Sequence, residues 1–165
     1  MDLVLAKLAD AGADILATDR GIAVSMDDRP RAVDLVTLPY PGFPTDLQPQ
    51  MMALLATAGG TSIVTENVFE SRFMFVDELH RMGADIRTEG HHAVIRGVER
   101  LSAAPVRALD IRAGAAMVIA ALATEGVTEV EDMYHVDRGY QDFEAKLTAL
   151  GAEVRREREL IPVLS

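Results

Sequence analysis

Asp46 stands near the end of a stretch, Pro39-Tyr40-Pro41-Gly42-Phe43-Pro44-Thr45-Asp46-Leu47-Gln48, whose prolines no helix can contain. Each proline lacks a backbone N–H and pushes its predecessor toward extended geometry, so the segment is a stiff lead-in. Thr45 and Gln48 have the spacing of a capping box ahead of a long apolar run. This predicts a helix over about residues 47–58 with Asp46 at its amino end, where free N–H groups and the helix dipole favour an ionised carboxylate. On the residues alone, Asp46 need do no more than start that helix. Asp110-Ile111-Arg112 opens a second apolar segment, residues 113–124, and puts one charge of each sign at its mouth. A local ion pair with an N-terminal acid accounts for it. Arg72, in Asn67-Val68-Phe69-Glu70-Ser71-Arg72-Phe73, and Arg138, in His135-Val136-Asp137-Arg138-Gly139-Tyr140, each follow a predicted strand. Guanidinium forks match carboxylate and phosphate geometry, so the pair reads as a shared anion site or as two surface arginines in loops. Gly139 would let backbone come close to a ligand, and Gly114 would permit tight helix packing.

The elements that position these groups repeat. Leu8-Ala9-Asp10-Ala11-Gly12-Ala13-Asp14 recurs as Leu79-His80-Arg81-Met82-Gly83-Ala84-Asp85 and as Leu147-Thr148-Ala149-Leu150-Gly151-Ala152-Glu153, at offsets of 71 and 68. A nearly fixed period means one supersecondary unit used several times. Each copy closes a short helix with glycine at C′ and then enters a strand. The first two continue into hairpins, residues 15–17 with 22–26 and residues 86–88 with 93–96. The helix over residues 47–58 feeds a strand at residues 61–66, and the helix over 113–124 feeds one at 127–131. Asp46 and Asp110 correspond at an offset of 64, and Arg72 and Arg138 at 66. The unit is strand, helix, strand, helix, hairpin. Residues 113–124 are apolar all round, and a helix without a polar face must be surrounded by protein. An α/β fold with helices inside and sheets toward solvent is expected. The sequence starts almost directly on a helix, as though a unit were cut, so a piece of a larger protein is expected.

With 165 residues, 49% of them hydrophobic, the chain can bury a real core. Its 26 acidic against 16 basic side chains give a net charge of −10 without any basic block, which argues against a nucleic-acid partner. The absence of cysteine removes disulfides, thiolate zinc sites and a thiol nucleophile, and fits a cytoplasmic protein. No signal peptide is visible, and the 113–124 run is too short to span a bilayer. His91-His92 reads as a solvated turn, since neighbours on a strand point to opposite faces and no third metal ligand is near. No cofactor motif is present: neither Gly-x-Gly-x-x-Gly nor a P-loop nor a nucleophile elbow occurs.

Tyr40-Pro41-Gly42-Phe43-Pro44-Thr45-Asp46, Thr65-Glu66-Asn67-Val68-Phe69-Glu70-Ser71-Arg72-Phe73, Asp110-Ile111-Arg112-Ala113 and Tyr134-His135-Val136-Asp137-Arg138-Gly139-Tyr140 together resemble the enolpyruvyl transferases. The resemblance covers about residues 3–156 and points to the branch whose acceptor is UDP-N-acetylglucosamine. The branch acting on shikimate 3-phosphate shares the fold but not this set of strings. The resemblance implies an inside-out α/β barrel of repeated βαβαββ units, in two domains of three units each that close over a cleft. This chain looks like a C-terminal portion: one partial domain of about two units plus part of a third, the other domain absent and expected in cis or in trans. The implied reaction moves enolpyruvyl from phosphoenolpyruvate to the 3′-hydroxyl of UDP-N-acetylglucosamine with release of phosphate, the first committed step of peptidoglycan synthesis, without cofactor or metal. By resemblance Asp46 is the base and also holds the sugar, and Val68 contacts the uridine nucleotide. Arg72, Arg112 and Arg138 line the anionic side, with Arg138 closest to phosphoenolpyruvate, and Asp110 supports the cleft. The family's Lys-Asn pair and the mobile loop bearing the general acid have no counterpart here. The chain alone is therefore expected to be inactive, and the alternative is a noncatalytic or truncated module that keeps the fold.

Overall fold

The computed structural model describes residues 2–157. Helix α1 (Asp2–Asp10) leads into the hairpin of β1 (Asp14–Thr18) and β2 (Gly21–Ser25). A full block follows: β3 (Leu35–Thr37), a 3₁₀ turn (Thr45–Leu47), α2 (Gln48–Leu55), β4 (Thr61–Glu66), α3 (Val76–Arg81), and the hairpin of β5 (Asp85–Glu89) and β6 (His92–Arg96). The pattern then begins again with β7 (Leu101–Ser102), β8 (Val106–Arg107), α4 (Ile111–Leu122), β9 (Thr124–Glu125), β10 (Val130–Glu131), α5 (Tyr134–Asp137) and α6 (Phe143–Ala149). In the first block β3 lies parallel to β4, and β6 and β5 add antiparallel, in the order β3-β4-β6-β5. In the second, β7 runs parallel to β9 and β8 parallel to β10. Each helix α2 and α4 thus crosses between two parallel strands, the connection that parallel pairing demands.

The helices are inside. α2 and α4 pack on one another, and Met51, Met52, Leu55, Ala113, Ala116, Met117 and Ala120 from the two are buried in one core with Leu35, Val64, Leu79 and Ile95. Burying each large aliphatic side chain contributes roughly 1.5–3 kcal/mol. The sheet shows its other face to solvent: along β4, Ser62, Val64 and Glu66 point inward while Ile63 is exposed. This is the inside-out arrangement that the apolar helix called for, although the α4 face carrying Ile119 and Leu122 is open. Gly12, Gly83 and Gly151 all take positive φ at the ends of their helices, as the repeat predicted. After Gly151 the third copy forms no strand through residue 157, and its continuation lies outside the described residues.

Three local expectations differ. The capping box does not form: Thr45 spends its hydroxyl on Glu66, and Gln48 is carried wholly into the core, so the chain enters α2 through a 3₁₀ turn without a side-chain cap. The α-helix then ends at Leu55, because residues 56–58 continue as turns in which Thr57 and Ala58 bond three residues back. The strand expected at 127–131 shrinks to Val130–Glu131, with Val127 standing in solvent.

The proline stretch is pinned by Phe43. Its ring is buried, its carbonyl accepts from the Leu38 amide, and Thr37 and Phe43 form an isolated bridge, so the loop folds back on the end of β3. A side chain at Gly42 would strike Leu38, which makes that close return a glycine position. At the far end of α2, Arg29 gathers the carbonyls of Thr57, Ala58, Gly97 and Val98. Two ends of one helix are thereby fixed, one by the loop that delivers Asp46.

Candidate active site

Asp46 occupies the 3₁₀ turn ahead of α2, where its side chain is largely exposed. Arg72 reaches it from the loop after β4, with Nη1 3.8 Å from Oδ1, a long ion pair. The guanidinium lies 4.2 Å over the Phe69 ring, a cation–π contact that holds it while leaving its edge available. Glu66, the last residue of β4, organises both partners from beneath. It is 3% exposed, accepts from the Thr45 hydroxyl at 2.8 Å, and accepts from the Val68 and Phe69 amides at 2.9 and 3.2 Å. Val68 is therefore placed on the same loop as Arg72, with its amide directed to Glu66.

Asp110 is the N-cap of α4. Its Oδ1 accepts from the Arg112 and Ala113 amides, each at 2.8 Å, and its Oδ2 takes the Arg112 guanidinium at 2.8 Å. Partial burial pushes the Asp110 carboxyl up, but the Ala113 amide, the Arg112 charge and the Arg112 hydrogen bonds outweigh it and hold the group below its ordinary value. Arg112 is itself mostly buried, and its Nη1 has no hydrogen-bond partner among the described residues. A buried guanidinium nitrogen with no acceptor costs free energy, and an anion beside it would recover that cost.

Arg138 follows α5 and is exposed, with no ion pair among the described residues. What places it is packing. A Cβ on Gly139 would sit 2.2 Å from Ile111 Cδ1, and one on Gly114 2.4 Å from Val136 Cγ2. Gly139 thus lets the end of α5 settle on the first turn of α4, and Gly114 permits the tight packing expected of it. The neighbouring Asp137 is held below its ordinary value chiefly by a hydrogen bond from Arg156, which also pairs with Glu144 and ties α5 to α6.

The structure therefore joins Asp46 with Arg72 and Asp110 with Arg112, the two carboxylates standing at corresponding places ahead of two packed helices, and packs α5, which Arg138 follows, on the first turn of α4. Glu66, Thr45 and Gln48 were not singled out as functional by sequence. A signal existed for Glu66: with period two, Ser62, Val64 and Glu66 share the buried face, and a carboxyl there requires donors. Gln48 stands 64 residues before Arg112, at the equivalent place, and its amide is likewise buried without a partner. Among the described residues no group of three His, Asp or Glu is placed to hold a metal ion, and His92 instead meets the Thr65 hydroxyl.

The model of the family described as EPSP synthase (3-phosphoshikimate 1-carboxyvinyltransferase) matches residues 1–147. The chain belongs to this family. The solved enolpyruvyl transferase NikO from Streptomyces tendae superposes with a TM-score of 0.81 at 28% identity, over 92% of this chain and 35% of its own. EPSP synthase from Acinetobacter baumannii, at 19% identity and a TM-score of 0.69, shares the enolpyruvyl transferase fold. A curated UDP-N-acetylglucosamine 1-carboxyvinyltransferase from Mycobacterium tuberculosis is 57% identical over 156 residues, which is 94% of this chain and 37% of the relative. The enzyme of the same name from Nocardia farcinica is 58% identical over 154 residues, 93% of this chain and 36% of the relative. The chain spans little more than a third of the length of the curated relatives it matches.

Proposed function

We propose that this chain supplies one wall of the cleft of an enolpyruvyl transferase that joins phosphoenolpyruvate to the 3′-hydroxyl of UDP-N-acetylglucosamine in the cytoplasm, the entry step of peptidoglycan synthesis. The observation that carries the reading is that two repeat-equivalent aspartates ahead of two packed helices of an enolpyruvyl transferase fold, Asp46 and Asp110, are each paired with an arginine, Asp46 with Arg72 and Asp110 with Arg112. The reaction needs those types of group. The acceptor hydroxyl must lose a proton as its oxygen attacks C2 of the enolpyruvyl double bond while C3 takes up a proton; the tetrahedral adduct then gives up a proton from C3 as the bond from C2 to the phosphate oxygen breaks, which restores the double bond and releases phosphate. Asp46, exposed and beside a cation, is the base for the hydroxyl. Arg72 sets a positive charge 3.8 Å from that carboxylate and, with Arg112 and Arg138, offers cationic edges to the phosphates and carboxylate of the substrates. Asp110 fixes the Arg112 fork so that its free Nη1 faces an anion, and Val68 lies against the uridine nucleotide. The remaining contacts and the proton for C3 come from outside these residues.

Titration of the labelled full chain with UDP-N-acetylglucosamine, followed by NMR, tests the assignment. Amide shifts at Val68 and Phe69 and at the Asp46 turn are expected, with smaller changes for N-acetylglucosamine alone. Shifts confined to other surfaces would refute it.

A further inference from the structure

We infer that Glu66 is a positioning residue, the buried strut that holds the Asp46 turn and the Val68–Arg72 loop in one geometry. The inference rests on the function proposed above for Asp46, Val68 and Arg72, and extends it to a group that touches no substrate. Glu66 lies at the inner face of the sheet, 3% exposed, where a carboxyl is expensive unless its lone pairs are filled. Its two oxygens divide their work. Oε2 accepts from the hydroxyl of Thr45, the residue directly before Asp46. Oε1 accepts from the amides of Val68 and Phe69, the first carrying the nucleotide contact and the second the ring under Arg72. The two segments are otherwise joined by the 3.8 Å Asp46–Arg72 pair, which is too long to fix either group by itself. Through Glu66, strand β4, the 3₁₀ turn and the exit loop become one rigid body, and the separation of base from guanidinium is set before any ligand arrives. The Asn67 amide adds a parallel tie to the Thr37 hydroxyl, so the loop is anchored to β3 as well.

The chemistry of the strut predicts how substitutions differ. In Glu66→Gln the amide oxygen can still accept from Val68 and Phe69, and the Thr45 hydroxyl can turn to accept from the amide nitrogen, so the fold survives with weaker, uncharged bonds. In Glu66→Ala three donors lose their acceptor. Thr45→Val cuts one arm only and leaves both amides bonded.

The experiment uses the full chain, isotopically labelled, as wild type and these three variants. It reads amide exchange at Val68 and Phe69, the Asp46 carboxyl-carbon and Arg72 Nε–H resonances, and thermal melting. Glu66→Gln is expected to melt close to wild type while exchange at both amides rises about tenfold, a typical consequence of weakening a charge-assisted bond, and the Asp46 and Arg72 resonances move. Glu66→Ala should do more of both. Thr45→Val should move the Asp46 resonance while leaving exchange at Val68 and Phe69 at its wild-type rate, a split that general destabilisation cannot produce. Should Glu66→Ala fail to fold, the Gln and Val variants decide the matter. Asp46 and Arg72 resonances unmoved in every folded variant would overturn the inference. Adding UDP-N-acetylglucosamine to the wild-type sample separates the two ideas: no response at Val68 would refute the functional reading and leave the strut standing.

Discussion

Replacing Asp110 by alanine removes three acceptor interactions at the start of α4, and their geometry sets the expected loss. The two amides bonded by Oδ1 are a full N-cap, worth about 1 kcal/mol and up to about 2. Breaking a fully buried ion pair costs roughly 3–5 kcal/mol, but Asp110 is 44% exposed, so water takes over much of its role and about 1–2 kcal/mol is the better expectation. The sum, about 2–4 kcal/mol, corresponds to a fall of about 4–16 °C in Tm for a chain of this length. Asp110→Asn keeps a good capping oxygen but puts an amide NH₂ donor where Oδ2 accepts from Arg112, so it loses the ion pair and should show about half that fall. pH separates the contributions further. The native carboxyl sits below its ordinary value, so the unfolded chain takes up its proton first as the solution is acidified. Asp110's contribution is therefore complete above the ordinary carboxylate range and disappears as pH falls through the lower native value. The gap between wild type and Asp110→Ala should be constant near neutrality and close toward acid. Thermal and urea unfolding of the three proteins across a pH series is the assay. Equal losses for Asn and Ala, or a gap that does not narrow in acid, would refute this account of the helix start.

Arg29→Met should lower stability by about 2 kcal/mol, since the guanidinium is exposed and water replaces part of what four carbonyls lose; a change in Tm under 1 °C would mean the clamp is idle. Gly97→Ala should cost more than about 3 kcal/mol, because the new Cβ would lie 1.8 Å from the Ala58 carbonyl oxygen and only backbone movement relieves it. Gly59→Ala, whose Cβ would meet nothing closer than 3.8 Å at a φ open to any residue, should change stability by less than about 1 kcal/mol in the same denaturation series. In a complete, active polypeptide, Arg138→Ala should raise KM for phosphoenolpyruvate and lower kcat, and Arg138→Lys should not restore either, because an ammonium cannot reproduce a planar fork. Steady-state kinetics with each substrate varied in turn is the check, and a fully active lysine variant would show the role misassigned.

Much of this was legible because it is local. The 71-residue recurrence with its left-handed glycines, the hairpins, and the apolar run of α4 are written in spacing, and backbone sterics enforce them. Asp46 and Arg72 were recognisable by motif, yet nothing in their spacing shows that Phe69 supports the guanidinium. The capping box failed because Thr45 had a competitor 21 residues away: a buried carboxyl gains more from its hydroxyl than the helix start does. The packing use of Gly139 is hidden for a related reason, since its close neighbour, Ile111, comes from another helix. The burial of Glu66 and Gln48 is a tertiary property, and in the sequence only the inward alternation of β4 and the repeat offset of 64 hint at it.

The central claim is that this chain carries the base-bearing wall of an enolpyruvyl transferase cleft. Its most direct test joins the chain to the portion of the Mycobacterium tuberculosis relative that it does not cover, and measures phosphate release from the single polypeptide. The account predicts turnover that needs both phosphoenolpyruvate and UDP-N-acetylglucosamine, and that falls about 10²–10⁴-fold in Asp46→Asn with melting unchanged. A folded polypeptide without turnover, or one whose turnover survives Asp46→Asn, would contradict it.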